Sequence, residues 1–319
     1  MTIPTRHRLL FCLAFYVLVF PRPAQADVAL LLGEPYGRFA TLTPTGHAAV
    51  YLSRVCAASP TVLRRCGPGE AGAVISRYHH VAGLDWVAIP LIPYLYSVEH
   101  AEHVPPSADR AVVADLRNGY RRRALREIVP DLPGGDMPRG NWRQLIGAAY
   151  DRQIIVFTIR TAAAQDDLLI ESLNRGVNVA QFNLLRRNCA DFALAILSHY
   201  VELAKPRDHF ADFGVTTPKH VAKSLVDVSA SRPELELAVA IVPQVPGSRR
   251  QSGKTRGVLE SLLTTKKYVI PLALVQPWVP SGLAAGYLAT RRFDPRKHAT
   301  RLLAPGAVEQ MAMPDSSAD

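Results

Sequence analysis

The sequence is poor in cysteine and has fewer acidic than basic residues. Its 319 residues include four cysteines, with 37 Lys and Arg against 27 Asp and Glu. It contains no internal repeat, no low-complexity tract and no recognisable nucleic-acid-binding motif, so neither a repeat architecture nor a nucleic-acid partner is expected. Its length and its 48% hydrophobic content suffice for one large domain or two small ones.

No apolar run near the N-terminus is long enough to cross a bilayer. Two arginines, Arg6 and Arg8, precede the 12 apolar residues from Leu9 to Phe20, and an Ala-Gln-Ala sequence ends at Ala26. This pattern predicts a secretory signal peptide over residues 1–26, with a retained N-terminal anchor as the alternative. We therefore expect an exported protein, periplasmic or extracellular, with membrane association as a further option.

The few cysteines constrain the chemistry. Cys12 leaves with the signal peptide, and the short spacing of Cys56 and Cys66 predicts a disulfide-closed loop in an oxidising compartment. Cys189 then remains unpaired. It is either buried and inert, cross-linked to another chain, or reactive.

The basic excess gives a formal net charge of +10 and is densest from Pro246 to Gly257, which holds four basic residues and no acidic one. Attraction to an anionic membrane surface or a cell-wall polymer would use this charge. The alternative is a solvated basic loop.

Apolar periodicity changes along the chain. A short buried segment is predicted at 28–32, and two strands that form a hairpin are predicted at 47–53 and 73–80. The apolar segment 85–98 is interrupted by prolines, which confines it to a sheet edge or to two short pieces. A further buried strand is predicted at 153–160. Helices are predicted at 108–128, 141–151, 161–176 and 216–226. The apolar segment 266–292 contains three prolines, which favours a packed or membrane-surface segment over a span.

Cys189 stands where a helix is predicted to begin. Backbone N–H groups and the dipole at a helix N-terminus favour a thiolate, which is the nucleophilic form of cysteine. The same N–H groups, including that of Cys189, can stabilise an oxyanion. Asn188 and Asp191 are interpreted as capping residues, with Asn188 also positioning the thiol loop.

His47 is the candidate general base. It follows Gly46 at the start of a predicted strand, and the hairpin brings Tyr78, His79 or His80 back beside it. A second histidine there could orient the imidazole. The register does not decide between His79 and His80, and we favour His79.

These residues carry a resemblance to a known superfamily. GHAAVYL, ISRYHH and the RNCADF helix start look like the circularly permuted papain-like fold, which includes NlpC-type permuted hydrolases and lecithin:retinol acyltransferases. The pattern also resembles a bacterial extracytoplasmic lipoprotein transacylase domain. Its Gly-His and Asn-Cys pairs map onto Gly46-His47 and Asn188-Cys189. The chain departs from the simplest members by a disulfide insertion and by a long segment before the cysteine helix.

The resemblance implies an α+β fold in which an antiparallel sheet packs on helices. It implies a catalytic domain over residues 27–230, followed by an extension over 231–319 that packs on it or touches the membrane and ends in a disordered tail. It also implies a cysteine nucleophile, an acyl-enzyme intermediate and no metal or other cofactor. The substrate would be an amide, ester or thioester in envelope lipid, lipoprotein or peptidoglycan peptide, and the apolar segments slightly favour an acyl chain. The acceptor could be water, an amine or a hydroxyl.

Two alternative functions remain open at this point. His100 and His103, with His79 and His80 upstream, could form a zinc site, although the HExxH arrangement is missing. A non-catalytic envelope-binding protein could also keep the fold without the reaction. The sequence leaves the oligomeric state undetermined.

Overall fold

The computed structural model describes residues 25–37, 45–79, 81–203, 212–264 and 293–312, together with single positions between 270 and 285. The predicted signal peptide therefore lies almost wholly outside the described residues, as do His80, most of the segment 266–292 and the predicted disordered tail.

The described residues form a mixed α/β structure around a seven-stranded sheet, in the order β6-β5-β2-β1-β7-β8-β9. All neighbouring strands are antiparallel except β8 and β9, so the prediction of a largely antiparallel sheet packed on helices is confirmed. The strands of this sheet are β1 (Gln25–Gly33), β2 (His47–Leu52), β5 (Ala73–Ser76), β6 (Val87–Pro90), β7 (Ile154–Ala162), β8 (Ala238–Val242) and β9 (Arg301–Leu302). A separate hairpin consists of β3 (Val55–Ser59) and β4 (Val62–Arg65).

Helices cover both faces of the sheet. Successive residues of a strand point to opposite faces, so Leu30 and Leu31 of β1 enter two different hydrophobic clusters. Burial on both faces explains why residues 28–32 are apolar without alternation. The helices are α1 (Leu91–Tyr96), α2 (Arg110–Tyr120), α3 (Ala148–Asp151), α4 (Ala164–Arg175), α5 (Cys189–Leu197), α6 (Pro218–Ser231), α7 (Val258–Thr264) and the C-terminal helix (Pro305–Ala312).

The predicted pairing of β2 with β5 is confirmed, with Val50 opposite Ile75. The β3–β4 hairpin is inserted between them, and the predicted Cys56–Cys66 disulfide joins its two strands. The apolar segment 85–98 was expected either at a sheet edge or as two short pieces, and it forms two short pieces. Its first piece is the edge strand β6, and its second is α1.

Several predicted helix boundaries are wrong. Residues 141–151 form a 3-10 turn and the short helix α3 instead of one helix. The helix predicted from Thr161 begins only at Ala164, because β7 continues through Ala162. By contrast, α6 starts as predicted, with the Thr217 side chain capping the helix and Pro218 at its first position.

The division at residue 230 stays a prediction, and the residues that follow it complete the same sheet. β8 pairs with β7 along Ile154 to Thr158, and the C-terminal helix contributes Val308 and Ala312 to the core beside α1. Tyr51 in β2 donates a hydrogen bond to the carbonyl oxygen of Ala312 at 3.3 Å. In the part of the chain that is described, no helix combines the length and the apolar content that a membrane span requires.

Candidate active site

Cys189 is the first residue of α5, as the sequence predicted, and its position is set by a capping box. The Asn188 side-chain oxygen accepts hydrogen bonds from the backbone N–H groups of Ala190 and Asp191 at 2.8 and 3.0 Å. The Asp191 carboxylate in turn accepts from the Asn188 N–H at 3.1 Å. The capping roles predicted for Asn188 and Asp191 are thus confirmed, and they fix where the helix starts.

The same two side chains bind the segments on either side of the thiol. The Asn188 amide donates to the carbonyl oxygens of Leu184 and Thr216, each at 3.0 Å. The Thr216 hydroxyl donates to Asp191 at 2.6 Å. Asn188 is buried, so these hydrogen bonds are shielded from competing water.

Gly46 fits its position for two physical reasons. Its φ is +78°, a conformation that residues with a Cβ rarely adopt. A Cβ on Gly46 would also lie 2.4 Å from the Gly33 carbonyl oxygen, which is too close for any real contact. The glycine therefore lets the chain enter β2 against the end of β1, where His47 pairs with Gly33.

The His47 imidazole is held by two residues of the β5 segment. Its Nε2 lies 2.7 Å from the Ser76 hydroxyl oxygen. The Tyr78 ring stacks on it with 4.6 Å between centroids and 22° between planes. Ser76 also donates to the Ala48 carbonyl oxygen at 3.3 Å. We assign the tautomer that matches this arrangement, in which His47 Nε2–H donates to Ser76 and Nδ1 is the basic nitrogen.

His79 was predicted to orient His47, and this role stays a prediction. Its side chain is exposed, and its ring lies edge-on to Phe182 at 5.0 Å. The contacts described for His47 are instead with Ser76 and Tyr78. Continuing the β2–β5 register past Ser76 brings Tyr78 opposite His47, but the register itself could not be read from the sequence.

The Cys189 sulfur lies at the same end of β2. Cys189 is the free cysteine among the described residues, and its side chain is partly exposed. Its sulfur lies near the backbone N–H of Ala48, the residue after His47, and near the N–H of Ala190. Helix α5 packs directly on β2, which accounts for this approach.

Burial and charge favour the neutral forms of both groups. Burial, with a smaller contribution from the Arg152 charge, lowers the pKa of His47 to about 3. Burial also raises the pKa of the Cys189 thiol above its usual 9.0, and it outweighs the N–H groups and Arg152, which act in the opposite direction. The expectation that the helix start would produce a resting thiolate is therefore wrong. The resting pair is a thiol and a neutral imidazole.

Sequence reasoning missed Ser76, Arg152 and Tyr94, and it named Tyr78 only as one of the residues that the hairpin brings beside His47. Arg152 precedes β7, and its positive charge acts on His47, Cys189 and the buried hydroxyl of Tyr94. Tyr78 has a buried hydroxyl close to the hydroxyl of Tyr94, without a hydrogen bond of good geometry. An arginine and tyrosines scattered over the sequence give no local signal, because only the fold brings them together.

The described residues of the alternative zinc site, His79, His100 and His103, do not form a metal-binding group, and its fourth residue, His80, lies outside the described residues. The described His, Cys, Asp and Glu side chains include no group of three that could hold a metal ion. The ring centroids of His100 and His103 lie 6.0 Å apart, and His100 Nδ1 lies 3.4 Å from Glu309.

The comparisons with known proteins give no family assignment. No family model, curated protein or solved structure matches this chain.

Proposed function

We propose that this protein is a cysteine-dependent acyl hydrolase or acyltransferase of the circularly permuted papain-like type. Cys189 is the nucleophile and His47 the general base. The observation that carries the proposal is the meeting of two distant segments at one point. The Cys189 sulfur lies beside the backbone N–H of Ala48. Ala48 directly follows His47, whose Nε2 lies within hydrogen-bond distance of the Ser76 hydroxyl.

The order of the elements supports the permuted type. A strand that begins with histidine comes first, and a helix that begins with cysteine comes later and packs on that strand. The sheet is mostly antiparallel and has helices on both faces, which is compatible with this superfamily. The long segment between the strands and α5 supplies α1 to α4 and the central strand β7.

The chemistry follows from the two neutral groups. His47 Nδ1 removes the thiol proton as the sulfur attacks an acyl carbonyl, so the thiolate exists only during attack. Backbone N–H groups near the sulfur, those of Ala48 and Cys189, donate to the oxyanion. The protonated imidazole then gives its proton to the leaving amine, alcohol or thiol, which leaves an acyl group on Cys189. Water or another nucleophile releases it.

The substrate belongs to the cell envelope if the predicted signal peptide directs export. Leu184 and Leu185 are exposed on the segment just before Cys189, and exposed Phe213 lies just before Thr216, whose carbonyl oxygen accepts from Asn188. Exposed apolar side chains on the segments that hold the start of α5 suit an acyl chain of a lipid or lipoprotein better than a polar peptidoglycan peptide.

Acyl-enzyme formation tests this function. The protein is incubated with 4-nitrophenyl esters of increasing chain length, and the acyl adduct is followed by intact mass and peptide mapping. We expect one acyl group on Cys189, none on Cys189→Ala, and adduct formation at least about 100-fold slower in His47→Ala because the base is lost.

The control is His103→Ala, which removes an exposed histidine outside the site and should leave the rate unchanged. If His47→Ala acylates as fast as the wild type, Cys189 is only an accessible thiol and the proposal fails. If no ester acylates the wild type, a non-catalytic binding protein explains the fold better.

A further inference from the structure

The side chain of Arg152 is a buried cation next to the proposed catalytic pair. Arg152 is 6% exposed, and its Nε lies buried with no hydrogen-bond partner among the described residues. A buried guanidinium is costly to desolvate, so an unpaired one needs a compensating interaction.

Neighbouring structure fixes where this side chain lies. The Arg152 side chain packs against Gly33, so that a Cβ added to Gly33 would lie 2.8 Å from Arg152 Cδ. Gly33 is the strand partner of His47. The Arg152 guanidinium carbon lies 4.5 Å from the centre of the Tyr36 ring. The Arg152 side chain therefore lies along the end of β1, beside the strand partner of His47, and its charge acts on both His47 and Cys189.

The nearby buried acids are already neutralised by other arginines. Asp151 accepts a hydrogen bond from Arg117 at 2.7 Å and pairs with Arg249 at 2.5 Å. Glu34 pairs with Arg296 at 2.5 and 2.6 Å. Arg152 forms no ion pair with any acidic residue in the described part of the chain, so its charge remains available to a ligand.

We propose that Arg152, with the Tyr36 ring behind it, forms a subsite beside Cys189 that binds a carboxylate of the substrate. This rests on the proposed function, and it narrows the substrate to acyl compounds with a free carboxylate close to the bond that is cleaved. A single planar guanidinium matches a planar carboxylate through two parallel hydrogen bonds, and one monoanion neutralises one cation. The Tyr36 ring holds the guanidinium plane in place.

Alkylation of Cys189 by two small reagents tests the subsite without requiring any acyl chemistry. Iodoacetate and iodoacetamide have the same size, but only iodoacetate carries a carboxylate next to the reacting carbon. For each protein we take the rate of Cys189 alkylation by iodoacetate divided by that by iodoacetamide, and we divide this ratio by the same ratio for the unfolded protein. The resulting preference for iodoacetate should be at least about tenfold higher in wild type than in Arg152→Met.

Two variants and one measurement complete the test. Arg152→Lys keeps the charge and should retain part of the preference, whereas Arg186→Met removes an exposed arginine near Cys189 and should retain all of it. Hexanoate should slow the reaction of wild type with iodoacetamide and leave Arg152→Met unaffected.

An equal rate ratio in wild type and folded Arg152→Met would overturn the subsite, as would a preference that Arg186→Met also abolishes. Protection by dimethyl phosphate but not by hexanoate would overturn the carboxylate assignment. Because alkylation needs only an accessible sulfur that can ionise, and the rate ratio cancels the thiolate fraction, these results stand even if Cys189 forms no acyl-enzyme.

Discussion

Neutral resting groups distinguish this site from a preformed thiolate–imidazolium pair. The burial that raises the Cys189 pKa and lowers that of His47 keeps the proton on sulfur until a substrate arrives. Such a thiol is protected from indiscriminate oxidation and alkylation, because only the thiolate is strongly nucleophilic. In the proposed mechanism, substrate carbonyl binding and proton removal must then occur together.

The suppressed basicity of His47 makes the protein sensitive to acid. Its pKa is about 3 when folded and 6.5 when unfolded, so the unfolded state binds the proton more readily. The resulting stability is fully present above pH 6.5 and is lost as the pH falls toward 3. Between pH 6.5 and 5, wild type should lose on the order of 2 kcal/mol more unfolding free energy than His47→Asn.

Urea unfolding at a series of pH values measures this difference. The exposed His103→Asn variant should follow the wild type throughout. Parallel pH curves for wild type and His47→Asn would show that the His47 imidazole titrates normally in the folded state.

At the scale of elements, the start of α5 shows how one amide side chain fixes the nucleophile. Asn188 caps the helix and also binds the carbonyl oxygens of Leu184 and Thr216. We expect Asn188→Ala to lower the unfolding free energy by about 1–2 kcal/mol through the lost cap, and to lower the acylation rate further because Cys189 loses its fixed position.

Asn188→Ser separates these two effects. A serine keeps a capping oxygen but lacks the amide donor and adds no charge, so stability should recover in part while the acylation rate stays low. Chemical denaturation and the acyl-adduct assay measure the two quantities. If Asn188→Ser recovers full acylation, the amide hydrogen bonds do not position the thiol.

Local signals explain which elements could be predicted from the sequence. The Thr217-Pro218 helix start, the β2–β5 hairpin and the Cys56–Cys66 disulfide each depend on residues close together in the chain. The cysteine helix was predictable for the same reason. The start of α4 was not, because pairing of β7 with β1 extends the strand past the apparent Thr161 cap.

Long-range pairing explains the rest of the site and of the fold. Ser76 and Tyr78 reach His47 through a strand register that composition does not specify, and Arg152 reaches it through β7. His47 and Cys189 could be named as candidates because histidine and cysteine suggest chemistry by themselves. Serine, tyrosine and arginine acquire their roles here only from burial and neighbours.

At the scale of the whole molecule, the residues after 230 are required for the sheet. β7 lies between β1 and β8, and Tyr51 binds the last described residue, Ala312. A chain ending at residue 230 would expose the hydrogen-bonding edge of β7 and part of its core face. We expect this truncated protein to aggregate or to lack a cooperative unfolding transition.

Size-exclusion chromatography and thermal unfolding test this expectation. A chain ending at Ala312 is the matched control and should behave like the full-length protein, since it keeps β8, β9 and the C-terminal helix. A monomeric, cooperatively unfolding chain that ends at residue 230 would support the division into a domain and an extension.

The position of β8 beside β7 also governs when this molecule can acquire its shape. A chain emerging from the ribosome or from a translocation pore delivers its first strand early, but the strand that closes the far side of β7 comes more than two hundred residues later. Folding must wait for that delivery, since distant pairings cannot form before their partners exist. During synthesis Cys189 therefore emerges before the sheet that carries His47 is closed, and the arrangement on which the proposed function rests can form only once the polypeptide is nearly complete.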